Sequence, residues 1–149
     1  MACIVPHVRE MHFKMGDNST HHYAIIIRSQ KTLRWNEKIA VSTNANVRRG
    51  IMPSIHAKAD IIKKVGKKRN IPKCVDIIVI RFSKCGVIGE SRPCYHCILA
   101  MSRCRLNIKN IYYSTSDGTI VKESLSEMIK NIDHACISTG MKYHFKIQE

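Results

Sequence analysis

Two wholly apolar runs of strand length, Ala-Ile-Ile-Ile at 24–27 and Ile-Ile-Val-Ile at 77–80, set the first limit on what this chain can fold into. A strand buried on one face alternates apolar and polar residues, whereas a strand covered on both faces reads as a continuous β-branched run. Both runs are far shorter than the roughly 20 apolar residues a membrane-crossing helix needs. The chain is therefore expected to bury a sheet between helices. Residues 22–28 and 38–42 read as an antiparallel hairpin with a polar turn near 29–31, and 75–82 as a further buried strand.

Between these strands the apolar spacing changes to that of helices. Ser54 is a plausible N-cap for an amphipathic helix carrying Ile55, Ala59 and Ile62 on one side and stopped by Gly66. After a turn at 83–86, Pro93 opens a helical pattern over 94–106 through Ile98, Met101 and Leu106. Residues 110–114 return as a strand ended by Ser116, Asp117 and Gly118, and 124–132 have the spacing of a short helix through Leu125, Met128, Ile129 and Ile132. Alternation of this kind predicts an α/β domain with parallel strand pairs and helices on the sheet faces. With 149 residues, one domain over 1–149 is expected, with 1–22 an arm or helix and 133–149 a tail whose alternating Tyr143, Phe145 and Ile147 hint at a terminal strand.

The seven cysteines are odd in number, and the first residues lack the charged-then-apolar order of a secretory signal. Reduced thiols in an intracellular setting are therefore expected, cytoplasmic or nuclear. Cys94-Tyr95-His96-Cys97 stands at a predicted helix start, where free backbone N–H groups and the positive helix end favour thiolates. Such a pair can bind zinc, exchange disulfides or simply pack. His56, near the start of the preceding predicted helix, gives the pair a companion, because helix starts after neighbouring strands can converge at one sheet edge. One imidazole and two thiolates fill three tetrahedral zinc positions and leave the fourth open, as in catalytic zinc sites. Four thiolates from Cys74, Cys85, Cys94 and Cys97 are the weaker ligand set.

Ile55-His56-Ala57-Lys58 followed by Pro93-Cys94-Tyr95-His96-Cys97 resembles the two-part motif of the cytidine and deoxycytidylate deaminase superfamily, His-x-Glu and later Pro-Cys-x-x-Cys. The resemblance covers roughly residues 22–115. It implies a three-layer α/β/α sandwich with a mixed central sheet, zinc held by His56, Cys94 and Cys97, and hydrolytic deamination of a nucleobase. It also carries substrate contacts onto Asn44, Ala57 and Ser91. One departure bears on the chemistry: the family's proton-shuttling Glu is replaced by Lys58. A carboxylate accepts a proton at neutral pH, whereas a lysine, with a reference pKa of about 10.4, is already protonated. Hydrolysis is therefore expected to be absent or strongly impaired. The alternatives are a working deaminase using another acid such as Glu90, an introduced Lys58, or a dithiol redox protein.

Lys plus Arg number 25 against 11 Asp plus Glu, a formal net charge of +14. Clusters at 48–49, 63–64, 67–69 and 103–105 suit a nucleotide or nucleic acid as partner, with Trp35, Tyr95, Tyr112 and Tyr113 available for stacking. No membrane partner is expected, and the chain is compatible with a homo- or hetero-oligomer.

Overall fold

The computed structural model describes residues 4–14, 21–29, 38–43, 45–46, 54–55, 61–62, 65, 67 and 72–137. The first element, left open by the sequence, is a helix, α1 (Ile4–Lys14). Strands β1 (His21–Arg28) and β2 (Lys38–Thr43) follow as the expected hairpin. Two short strands, β3 (Ala45–Asn46) and β4 (Ser54–Ile55), pair with each other. This corrects the expected helix start: Ser54 and Ile55 are extended and bonded to Asn46 and Ala45, so Ser54 is not an N-cap. A β-branched residue such as Ile55 suits a strand better than a first helical turn. The helical part of that segment is seen further on, at Ile61, Ile62 and Val65, all buried.

The rest of the chain is β5 (Val75–Phe82), β6 (Ile88–Gly89), α2 (Tyr95–Arg103), β7 (Ile108–Ser114), β8 (Ile120–Ser124), α3 (Leu125–Lys130) and a 3-10 turn (Ile132–His134). The sheet is mixed and open, in the order β2-β1-β5-β7-β8, with β6 paired to β5. β5 and β7 are parallel and joined through α2; the other neighbours are antiparallel. The helix expected over 94–106 ends at Arg103, because Cys104 is extended and its thiol donates to the Met101 carbonyl (3.1 Å), occupying a helix-end acceptor. Leu106 lies beyond the helix yet is 5% exposed, so its apolar signal reported burial and not helicity.

β8 had no counterpart in the sequence reading. Asp117 accepts from the Thr119 N–H (3.1 Å), Gly118 takes φ +86°, and Thr119 is bonded back to Thr115, which folds the chain onto β7. Ser124 then caps α3, accepting from the Glu127 N–H (3.2 Å) in a Ser-x-x-Glu arrangement.

Helices cover both sheet faces, which is why β1 and β5 are apolar on both. On one face Ala24, Ile26, Ile77, Val79 and Ile111 pack against Ile61, Val65, Ile98, Met101 and Met128. On the other, Tyr23, Ile25, Ile78, Ile80 and Phe82 pack against Ile4 and Val8 of α1. His12 ties α1 down: its Nε2 donates to the Ser83 carbonyl (2.8 Å), which leaves Nδ1 to accept from the Tyr23 hydroxyl (3.0 Å). Its ring stacks on Phe82. Gly86, at φ +80° in the turn after β5, lets Phe13 approach where a Cβ would meet its ring at 2.7 Å. No helix among the described residues is long and apolar enough to cross a membrane.

Candidate metal centre at the carboxyl end of the parallel strands

β5 and β7 finish at the same sheet end, and the connection from β5 to α2 must pass over it. β6 folds back on Arg81 and Phe82, and residues 90–93 then lead into the helix. Cys94 is the N-cap of α2, with extended backbone and no side-chain capping bond, at the positive end of the helix. Cys97 is three residues on, the spacing that brings an N-cap side chain over the first turn. The Cys94 thiol donates to the Cys97 sulfur at 3.4 Å, and the two residues are only 5% and 2% exposed. Two thiolates on a tetrahedral zinc, with Zn–S of about 2.3 Å, sit about 3.8 Å apart. The pair thus fits two corners of a zinc tetrahedron with little movement.

The Cys136 side chain is exposed. The structure brings its backbone to this site, where the Cys136 carbonyl accepts from the Tyr95 N–H (2.8 Å) and satisfies the first amide of α2. Nothing in the spacing of Cys136 announces this, because the contact depends on how α3 packs beside α2.

Ser91 is buried in a clamp between the parallel strands. Its Oγ donates to the Val79 carbonyl (2.8 Å), accepts from the Ser114 N–H (2.8 Å) and lies 2.9 Å from Ser114 Oγ. Ser114 Oγ in turn donates to the Gly89 carbonyl (2.7 Å) and accepts from the Arg81 N–H (3.2 Å). The proton and one lone pair of the Ser91 hydroxyl are therefore committed to the sheet, with Ser114 Oγ packed against it. Beside it Arg92 pairs with Glu123 (3.1 Å), which also accepts from the Tyr113 hydroxyl (3.1 Å). Burial works against the Arg92 charge, but the Glu123 carboxylate and Tyr113 outweigh it and hold the guanidinium above its ordinary value. Burial, with Glu123 second, pushes Tyr113 up. The loop carrying the cysteines is thereby fixed to β7 and β8. None of Ser114, Glu123 or Arg92 stood out in the sequence.

His56, Lys58, Ala57 and Asn44 lie outside the described residues, as do Trp35, the clusters at 48–49 and 63–64, and Lys68, Arg69 and the tail from 138. Among the described residues no three His, Cys, Asp or Glu side chains gather as a metal group. The four-thiolate alternative fails on topology: Cys74 precedes β5, at the far end of the sheet from Cys94, and its sulfur accepts from Asn107 Nδ2 (3.3 Å). Glu90 is exposed, and Tyr113 belongs to the core, whereas Tyr112 is half-buried below Lys122. No family model, curated protein or solved structure matches this chain.

Proposed function

We propose that this chain is a zinc-binding protein of deaminase-like architecture, with His56, Cys94 and Cys97 as ligands and with hydrolysis absent or greatly weakened by Lys58. The observation that carries the reading is the buried Cys94–Cys97 pair at the start of the helix joining parallel β5 and β7. Ligands in open α/β sheets bind outside the carboxyl ends of the strands, where this pair is found. The chain leading to His56 starts from the same end. β2 finishes at Thr43 beside Tyr23, which faces Ile80 near the carboxyl end of β5; β3 begins two residues later, and its Ala45 pairs with Ile55.

Zinc in such a ligand set lowers the pKa of a bound water and supplies a hydroxide nucleophile. The residues of this chain supply the rest. His56 and the two thiolates hold the ion, while Asn44, Ala57 and Ser91 contact a nucleotide or a nucleobase in a nucleic acid. Lys58 occupies the place from which a carboxylate would carry protons. Because the Ser91 hydroxyl is committed to the clamp, its share of substrate contact falls to its backbone. The near-complete burial of both sulfurs speaks against a dithiol redox protein, which needs one sulfur open to its partner.

Metal analysis tests this directly. The purified chain is expected to hold about one zinc, lost in His56→Ala and Cys97→Ser and kept in Cys74→Ser. A metal-free chain with Cys94 and Cys97 oxidised together would overturn the reading in favour of redox chemistry. Deamination of cytidine, deoxycytidylate and a single-stranded oligonucleotide should be weak or absent and should rise in Lys58→Glu. Wild-type turnover that disappears in Lys58→Glu would show that Lys58 is a working base.

A further inference from the structure

The opposite end of the sheet has a different character. Arg28 closes β1, Lys73 leads into β5, and Arg103, Arg105 and Lys109 bracket the passage from α2 into β7; all five are exposed. Strand register brings them to one edge. Arg28 faces Val75, and Val75 faces Ile108. The Ser29 N–H donates to the Cys74 carbonyl (3.1 Å) and the Val75 N–H to the Asn107 carbonyl (3.0 Å), so the three strand ends are stitched together. With neighbouring strands about 4.8 Å apart, the cations are carried on a rigid edge roughly 10 Å wide before side-chain reach is added.

Among the described residues these cations have no carboxylate partner. Elsewhere Lys14 pairs with Glu10, Arg92 with Glu123 and Lys130 with Glu127. None of Arg28, Lys73, Arg103, Arg105 or Lys109 makes an ion pair among the described residues. The described acid inside this end is Asp76, which is 1% exposed and accepts from the Asn110 N–H (3.0 Å). Glu127, at the start of α3, is turned to Lys130. Like charges held side by side repel one another.

We propose that this edge binds the phosphodiester backbone of a nucleic acid, at the end of the sheet remote from the cysteine pair. A protein partner calls for an apolar centre, but the exposed large hydrophobics among the described residues, Phe13, Val87 and Ile129, belong to α1, the turn after β5 and α3. A phosphate backbone requires only spaced cations. Contact of these cations with phosphates is by charge and carries no sequence information of its own. The inference does not depend on the metal centre.

Fluorescence anisotropy of the full chain with a labelled single-stranded RNA and a DNA duplex of equal length, across a salt series, tests it. The logarithm of affinity should fall linearly with the logarithm of salt, and Lys73→Gln with Lys109→Gln should reduce that slope by about two contacts. At fixed moderate salt this double variant should bind at least about ten-fold more weakly. Lys14→Gln with Lys130→Gln removes the same charge from cations that already have partners and should stay within about three-fold of wild type. Equal loss in both double variants, or tighter capture by vesicles of anionic lipid than by either nucleic acid, would overturn the proposal. The tighter of the two nucleic acids identifies the polymer. If the first double variant fails to fold by circular dichroism, Arg28→Gln with Arg105→Gln takes its place.

Discussion

The two ends of the β5–β7 pair are built from the same strands and behave oppositely. At the carboxyl end polar groups are buried and answered: Ser91 and Ser114 share four backbone partners, Arg92 is held by Glu123 and Tyr113, and the Cys94 and Cys97 sulfurs meet. At the amino end the basic side chains are exposed, and five of them make no ion pair among the described residues. The contrast follows from strand polarity. A parallel pair needs a crossover that leaves over one end and returns at the other, so the helix start, with its positive end, belongs to the carboxyl end. The amino end receives the helix C-terminus, where cations such as Arg103 are favoured.

If the ends differ as described, substitutions at the first should cost stability and those at the second should not. Ser114→Ala removes the partner of the Arg81 N–H, the Gly89 carbonyl and Ser91 together. A loss of about 1–3 kcal/mol is expected from urea unfolding, and a loss under about 0.5 kcal/mol would mean that the clamp is not a structural unit. Arg92→Ala should cost less, about 1 kcal/mol, since the pair is partly solvated, with side-chain exposures of 28% and 21%. The double variant Lys73→Gln with Lys109→Gln should stay within about 0.5 kcal/mol of wild type while losing nucleic-acid affinity.

A smaller effect sharpens the comparison at Cys104, which lies between Arg103 and Arg105. Burial pushes its thiol up despite these cationic neighbours in sequence. A raised value means less thiolate at any pH below it, so alkylation of Cys104 should begin at higher pH than that of exposed Cys85 and Cys136. Reaction of Cys104 at the same pH as those two would place the arginines over the sulfur and not out in solvent.

Strands were legible where both faces are covered. The runs at 24–27 and 75–82 lie where expected because a central strand has no polar face to confuse the pattern. α2 was legible from Pro93 and its apolar spacing, and α3 from Leu125 and Met128. β8 was missed because it is a short edge strand, Ile-Val-Lys-Glu-Ser, with only two strongly apolar residues and no fully buried one. Ser54 was misread because a strand pairing with Asn46 cannot be told from a cap without knowing where residue 46 lies.

By itself the sequence determined the local elements and the Cys-x-x-Cys at a helix start, since backbone preference and periodicity act within a few residues. Only the tertiary structure decided that Ser114, Glu123 and Cys136 stand at the cysteine end, and that Arg28, Lys73 and Lys109 share the other. Those groups are far apart along the chain. Strand order and register bring them together, and both arise from the packing of the whole sheet against its helices.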